Sequence, residues 1–584
     1  MNECWNLEPL YRGFDTPEFQ GDLQALKVTC GRFDTFTKAL HEMEPLQALR
    51  GGIDLMEELA KLVGSLAEYA SLRQSANTND TEAASALGRI MDAYSQVAGG
   101  EARFKEYAAS VPDLETILEQ DEILREYQFF FRMVKQDSRY LLGSLGESIM
   151  AKLRLSGSSA WSDLQSYLTS TLRVEYNGGV TNLSAIRNLA YDANPKVRKD
   201  AYEAELAAYE KIKDPIAFAL NSIKLETLNN ARLRGYESPL DMTLKGSRMQ
   251  RETLDAMFAA IDEYLPKFWA YLKAKAKAMG HEGGLPWYEM FAPMGGGGKT
   301  YTTEEARDYL VNLFGAFDPE LRDMVDTAFR DAWIDFYPRD GKQGGAFCAG
   351  VEKLGESRIL TNFDGSFSDI VTLAHELGHA FHNHQLRDQR PMNRDYSMPV
   401  AETASTFNEC VVMNAAIAAA TDKNEKLALI ESQLQDATQI ICDIYSRFRF
   451  EADVFAHRDQ EFLSADRLCD MMLAAQKASY GDGLAEDALH PYMWVCKGHY
   501  YGPVFYNFPY AFGGLFARGL YAQYEKEGKA FLPKYKKLLH ETSVRTVEEA
   551  ARVADVDLTD RAFWQQGLQI LADEIDQFIA LLEE

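Results

Sequence analysis

His375-Glu376-Leu377-Gly378-His379 constrains this chain more than any other stretch. Two histidines four residues apart, with a glutamate after the first, act together only on a helix, where 3.6 residues per turn bring both imidazoles to one face. With 10 histidines in 584 residues, chance supplies only about 0.03 copies of the arrangement. The flanks support a helix. Ser366 and Asp369 read as an N-cap pair. Ile370, Leu373, Leu377 and Phe381 then recur at helical spacing as one apolar stripe. His375, His379 and His382 fall on the opposite face. The stripe should enter the core and the histidines should face a cavity. Gly378, mid-helix at a cost of about 1 kcal/mol relative to Ala, predicts a close neighbour.

Such a pair offers zinc two ligands and a base. Catalytic zinc takes three protein ligands and keeps one position open. Two residues can complete the set. His382 shares the helix face, but three ligands from two turns of one helix strain a tetrahedral site. Glu402 is preferred. It belongs to the segment Pro399 to Glu409, read as a second helix with proline in its first turn. Glu409, seven residues on, would accept the second N–H of a ligand histidine. The metzincin pattern is excluded, because His382 and Gln385 stand where it requires glycine and histidine. Pro293-Met294-Gly295-Gly296-Gly297-Gly298-Lys299-Thr300 lacks the first glycine of a phosphate-binding loop and reads as a flexible surface loop.

A net charge of −27 argues against a nucleic-acid partner. No apolar run reaches membrane-span length, and the first residues are unlike a signal peptide. Seven scattered cysteines point to reduced thiols and a cytoplasmic location. Cys348 reads as a small buried residue. Most of the chain reads helical. Leu55, Leu59, Leu62 and Leu66 form one stripe, ending before a polar break at Asn77 to Asp80. Leu427, Ile430, Leu434, Ala437, Ile441, Ile444, Phe448 and Phe455 form a longer one. Hairpins are expected around Asn177-Gly178 and between Trp333 and Asn362. A boundary near 185–200 divides an N-terminal helical portion, 1–190, from a catalytic portion, 191–584.

Four blocks, in order, resemble a known family. Leu373 to His382 followed by Ala401 to Glu409 resembles the oligoendopeptidase F branch of the thimet oligopeptidase superfamily of zinc metallopeptidases. Gly341 to Cys348, His499-Tyr500-Tyr501 with Phe505 to Gly513, and Gly13 to Phe19 agree with it. The resemblance implies a mostly α, two-lobed helical body with a deep substrate channel and a small β-hairpin element beside the zinc site. It implies one Zn2+ per chain on His375, His379 and Glu402, with Glu376 as general base. His499, Tyr506 and Tyr510 would contact the peptide and its developing oxyanion.

The expected activity is hydrolysis of internal bonds in short, unstructured oligopeptides, with no nucleic-acid or membrane partner and no expectation for oligomeric state. The strand edge from Gly344, Gly345 and Ala346 to Cys348 would pair with the peptide backbone. The rivals are a metallocarboxypeptidase on a similar scaffold and a non-enzymatic peptide binder, which would not need Glu376.

Overall fold

Apolar residues recurring every three and four positions make this a helical chain, 72% helix against 4% strand. The computed structural model describes residues 3–295 and 299–584. Gly296 to Gly298 of the glycine loop lie outside them. The loop's described ends do not only face solvent, since Met294, Gly295 and Lys299 line a cavity.

The N-terminal region opens with α1 (Pro17–Lys38), capped by the Thr16 hydroxyl, and α2 (Pro45–Ala76). In α2 Leu55, Leu59 and Leu66 are buried and Leu62 is half-buried. The break at Asn77 to Asp80 is present, and α3 (Thr81–Ser95) starts on Asp80 as N-cap. Strands β1 (Arg173–Tyr176) and β2 (Gly179–Asn182) form the first expected hairpin. Asn177 and Gly178 both take positive φ, 49° and 74°, as a two-residue turn of this kind requires. The long helix α4 (Lys213–Arg234) follows, then α5 (Arg251–Ala278).

A second sheet has the order β3 (Ile334–Asp335), β5 (Glu356–Leu360), β4 (Phe347–Val351). The hairpin between Trp333 and Asn362 is therefore β4–β5, and β4 is an edge strand among the described residues. One expectation is corrected here. Gly344, Gly345 and Ala346 lie ahead of β4, not within it. The physical reason is local. Gly345 has φ +81°, and Asn362 Nδ2 donates to the carbonyls of Gln343 and Gly345 at 3.0 and 2.8 Å.

The C-terminal part of the chain centres on α6 (Phe367–Gln385), whose Ser366–Asp369 capping box is complete. Its stripe of Ile370, Leu373, Leu377 and Phe381 is at most 1% exposed. α6 packs along α7 (Thr403–Ala419), and Gly378 permits the approach: a Cβ there would lie 2.5 Å from the Ala404 carbonyl oxygen. The segment Pro399 to Glu409 is not one helix. A single turn, Met398–Ala401, ends at Glu402, which has φ −89° and ψ 8°, and α7 begins at Thr403. The Thr403 hydroxyl adds a bond to Val400 O at 2.8 Å, and the Thr406 N–H donates to Glu402 O at 3.1 Å, so the hydrogen-bond ladder resumes at the break.

The long stripe from Leu427 to Phe455 is likewise interrupted. α8 (Lys423–Thr438) and α9 (Ile444–Arg458) are joined by a π turn at Gln439–Asp443. The extra residue shifts the helical register and buries Ile441, Cys442 and Asp443 in succession. α10 (Phe508–Glu527) and α11 (Arg561–Glu583) close the body. No described helix is long and apolar enough to cross a membrane.

Burial sorts into separate apolar cores. One spans Trp5 to Val134 with Val351 and Leu360 from the second sheet. Another joins Leu172 to Ile223 with Phe450 to Tyr501, and the largest runs from Leu244 to Phe578. A cavity of about 760 Å³ lies against the largest core and one of about 530 Å³ between it and the core of Leu172 to Tyr501, and Asp436 borders both.

Candidate active site

His375 and His379 project from consecutive turns of α6, and their Nε2 atoms stand 3.2 Å apart. Glu402 Oε2 lies 3.4 Å from each. These atoms form a nearly equilateral triangle. Donors 2.0–2.1 Å from a tetrahedral zinc are separated by about 3.3 Å, so the triangle has the size of one face of a zinc tetrahedron. The donor chemistry also fits. Two imidazole nitrogens and a carboxylate oxygen are the donor set that a catalytic zinc takes.

Neighbours orient each member. His375 Nδ1 donates to Glu409 Oε1 at 2.6 Å, which leaves the Nε2 lone pair for the triangle. Ser405 Oγ donates to Glu402 Oε2 at 2.8 Å. Gly513 of α10 leaves room for Glu402, since a Cβ there would lie 2.9 Å from Glu402 Cβ. Asn408 Nδ2 donates to Ala374 O at 3.1 Å and ties α7 to α6. Spacing singled out Glu409 but not Ser405, Asn408 or Gly513. Their signal, a hydroxyl three residues after a ligand or a glycine on a distant helix, has no meaning until the helices are packed.

The electrostatics match a cation site. Burial disfavours charge on His375, yet the Glu409 hydrogen bond and the charges of Glu409, Glu376 and Glu402 lift its pKa to about 9. Burial opposes the charge on Glu402 too, but His379, His375 and Ser405 hold it down to about 2. Glu376, 6% exposed, behaves differently. Burial pushes its carboxyl above the usual range against the pull of both histidines, with Glu402 and Glu409 adding to the rise. Half-buried Cys348 on β4 sits within electrostatic reach of Glu376, and burial drives its thiol well up.

His382 stays outside the triangle. It is fully buried, stacks on Tyr396 with ring centroids 4.2 Å apart, and its Nε2 lies 2.8 Å from Thr542 Oγ1. That hydroxyl already donates to Leu539 O at 2.7 Å, so the His382 nitrogen is the donor and carries a proton. Burial lowers its pKa to about 3. The face shared by three histidines in sequence is thus split by packing.

His499, Tyr506 and Tyr510 come together as a triangle of rings, with centroids 5.6, 5.8 and 5.9 Å apart. Pro509 occupies the first turn of α10 and Tyr510 follows it. Burial, Tyr506 and the Glu402 carboxylate raise the Tyr510 hydroxyl to about 12, so it keeps its proton at neutral pH. Burial and the charges of Arg447 and Lys497 keep His499 below its ordinary range.

The sequence profile of peptidase family M3 matches residues 311–570, which contain all three corners of the triangle, and that of Oligopeptidase F matches residues 108–173. The chain belongs to peptidase family M3, in its oligoendopeptidase F branch. Members of this family are zinc metallopeptidases, and the M3 chain is a metallopeptidase. It is 23% identical to oligopeptidase PepF of Bacillus subtilis over 99% of its own length and 87% of that protein's. It is 23% identical to an oligoendopeptidase F homologue of Lactococcus lactis, covering 99% and 97%. Among solved structures, a Chlamydophila abortus protein superposes with a TM-score of 0.83 at 20% identity, covering 98% of each chain. Oligoendopeptidase-F from Enterococcus faecium superposes with a TM-score of 0.73 at 17% identity, covering 97% and 99%. These likenesses extend the resemblance of fold over the whole length.

Proposed function

We propose that the M3 chain is a zinc endopeptidase that cuts internal bonds of short, unstructured oligopeptides in the cytoplasm. The observation that carries this reading is the His375–His379–Glu402 triangle with buried Glu376 on the helical turn between its two histidines. One zinc per chain would be held by those three residues. When bound, it supplies a Lewis acid that polarises the scissile carbonyl and acidifies a water.

The protein's own groups do the rest. Glu376 takes the proton of the attacking water on a carboxylate oxygen and delivers it to the leaving amine. Its raised pKa, set by burial, lets it hold that proton between the two transfers. Tyr510 donates its hydroxyl to the developing oxyanion, with His499 and Tyr506 beside it. Glu409 holds the imidazole of His375 in one tautomer. The unpaired edge of β4, entered through Gly344, Gly345 and Ala346, offers its backbone to an extended peptide. Glu409, which holds His375, lines the larger cavity, and an extended peptide would reach the donors more readily than a folded protein.

The test is a panel of peptides from five to thirty residues, with products read by mass spectrometry. Internal cuts that a chelator abolishes and zinc restores are expected. Stepwise loss of single C-terminal residues would replace this reading with a carboxypeptidase, and rapid digestion of a folded protein would contradict the enclosed site.

A further inference from the structure

Lys497 stands two residues before His499 and lines the 530 Å³ cavity with Arg187, Tyr202, Tyr288 and Gln439. Among the described residues its ammonium has neither a hydrogen bond nor an ion pair. The nearby acids are engaged elsewhere. Asp443, turned inward by the π turn, is taken by the Arg447 guanidinium. Glu205 is shared among Arg187 at 3.4 Å, His490 at 3.4 Å and the Tyr209 hydroxyl at 2.8 Å. Burial and the positive charges of Arg447 and Arg187 pull the Lys497 ammonium below its ordinary range, although Asp443 opposes them.

A half-buried ammonium that lines a cavity without an acid of its own is poised to take an anion. The position tells which anion. Lys497 is two residues from His499, the His499 ring lies 5.9 Å from that of Tyr510, and Tyr510 lies in the first turn of α10, whose Gly513 packs on Glu402. The unpaired cation is therefore on the cavity wall just beyond the oxyanion donors, where one end of a bound peptide would lie. The larger cavity is the more acidic: Glu409, Asp422 and Glu425 line it alone against Lys299 and Arg518, whereas Arg187, Arg198 and Lys497 line the smaller against Glu205, with Asp436 shared by both. A zwitterionic peptide spanning both cavities has one favoured direction.

We propose that Lys497, with Arg187 near it, binds the C-terminal carboxylate of the substrate peptide and so sets how the chain enters the site. This rests on the peptidase reading above. An ammonium–carboxylate contact of this kind is worth roughly 10- to 100-fold in kcat/KM. One peptide sequence that the enzyme cuts is prepared as free acid, as C-terminal amide, and as amide with aspartate in the last position. All are assayed with wild type, Lys497→Met and Lys497→Arg, with zinc content and Tm checked for each.

For wild type, the free acid should be cut about 10- to 100-fold more efficiently than the amide. Lys497→Met should bring the acid-to-amide ratio close to one, and Lys497→Arg should keep most of it. Wild type cutting acid and amide equally well overturns the proposal, whether or not the methionine variant folds. An unchanged ratio in a zinc-loaded Lys497→Met enzyme overturns it as well. Full rescue of the amide by the terminal aspartate would assign the site to a side-chain carboxylate and overturn the C-terminal assignment. If wild type cuts no peptide in any form, it is the peptidase reading that fails.

Discussion

Glu409 accepts a 2.6 Å hydrogen bond from His375 Nδ1, and through it α7 decides which nitrogen α6 can offer to a metal. The contact binds the helix that carries His375 and His379 to the helix that begins after Glu402. Replacing Glu409 by glutamine keeps an acceptor oxygen but removes the charge that makes the imidazole a better ligand. Zinc affinity should fall about 10- to 100-fold, measured by competition with a chromogenic chelator. Activity at saturating zinc should fall much less than affinity.

Metal content separates the ligands from the base. The purified chain should carry about one zinc. His375→Ala, His379→Ala and Glu402→Ala should lose it by elemental analysis. Glu376→Gln should retain it and lose turnover. His382→Ala should retain zinc, because Nε2 of that residue is a donor to Thr542. A zinc-free His382→Ala protein with a normal fold would return His382 to the ligand set.

Gly378 is the contact point of α6 and α7. A Cβ would lie 2.5 Å from both Ala404 O and Ser405 Cα, which are backbone atoms that cannot swing aside. Gly378→Ala gains helix propensity, yet should lose about 1–3 kcal/mol overall through overpacking. Glu402 would be displaced with the start of α7, so Tm and zinc affinity should fall together. An unchanged Tm would show that the helices are less tightly apposed.

His382 makes stability depend on acid. Its pKa is about 3 in the folded chain against 6.5 for the free group. The unfolded state therefore binds the extra proton as pH falls below 6.5, and the stabilisation present above that value is lost on the way down to 3. Between pH 7 and pH 5 the contribution is about 2 kcal/mol. His382→Gln should be less sensitive to acid over that interval in denaturant titrations at the two pH values. Parallel curves for variant and wild type would show that another group governs acid sensitivity.

Tyr510→Phe removes one oxygen from a residue at the rigid start of α10. A donor used mainly in the transition state should lower kcat by roughly 10²-fold with KM little changed. Tyr506→Phe should cost less. Normal kcat in Tyr510→Phe would pass the role to Tyr506 or His499.

Sequence alone determined the elements whose signals are local. The cap at Ser366, the stripe from Ile370 to Phe381 and the His375–His379 spacing all lie within one helix, where periodicity dictates which side chains share a face. The turn at Asn177-Gly178 was equally legible, because positive φ at both residues is a property of those residues. The family resemblance of separate blocks named His499, Tyr506 and Tyr510, but no spacing could bring them to α6 from more than a hundred residues away. Only the tertiary structure chose Glu402 over His382. Both were available on helical faces, and the choice came from the break before Thr403 and from close approach at Gly378 and Gly513. The π turn that buries Asp443, and the solitude of Lys497 beside it, were also invisible in the sequence. Periodicity fixes a direction around one axis, whereas a site depends on distances between axes, and those are set by where small residues let helices meet.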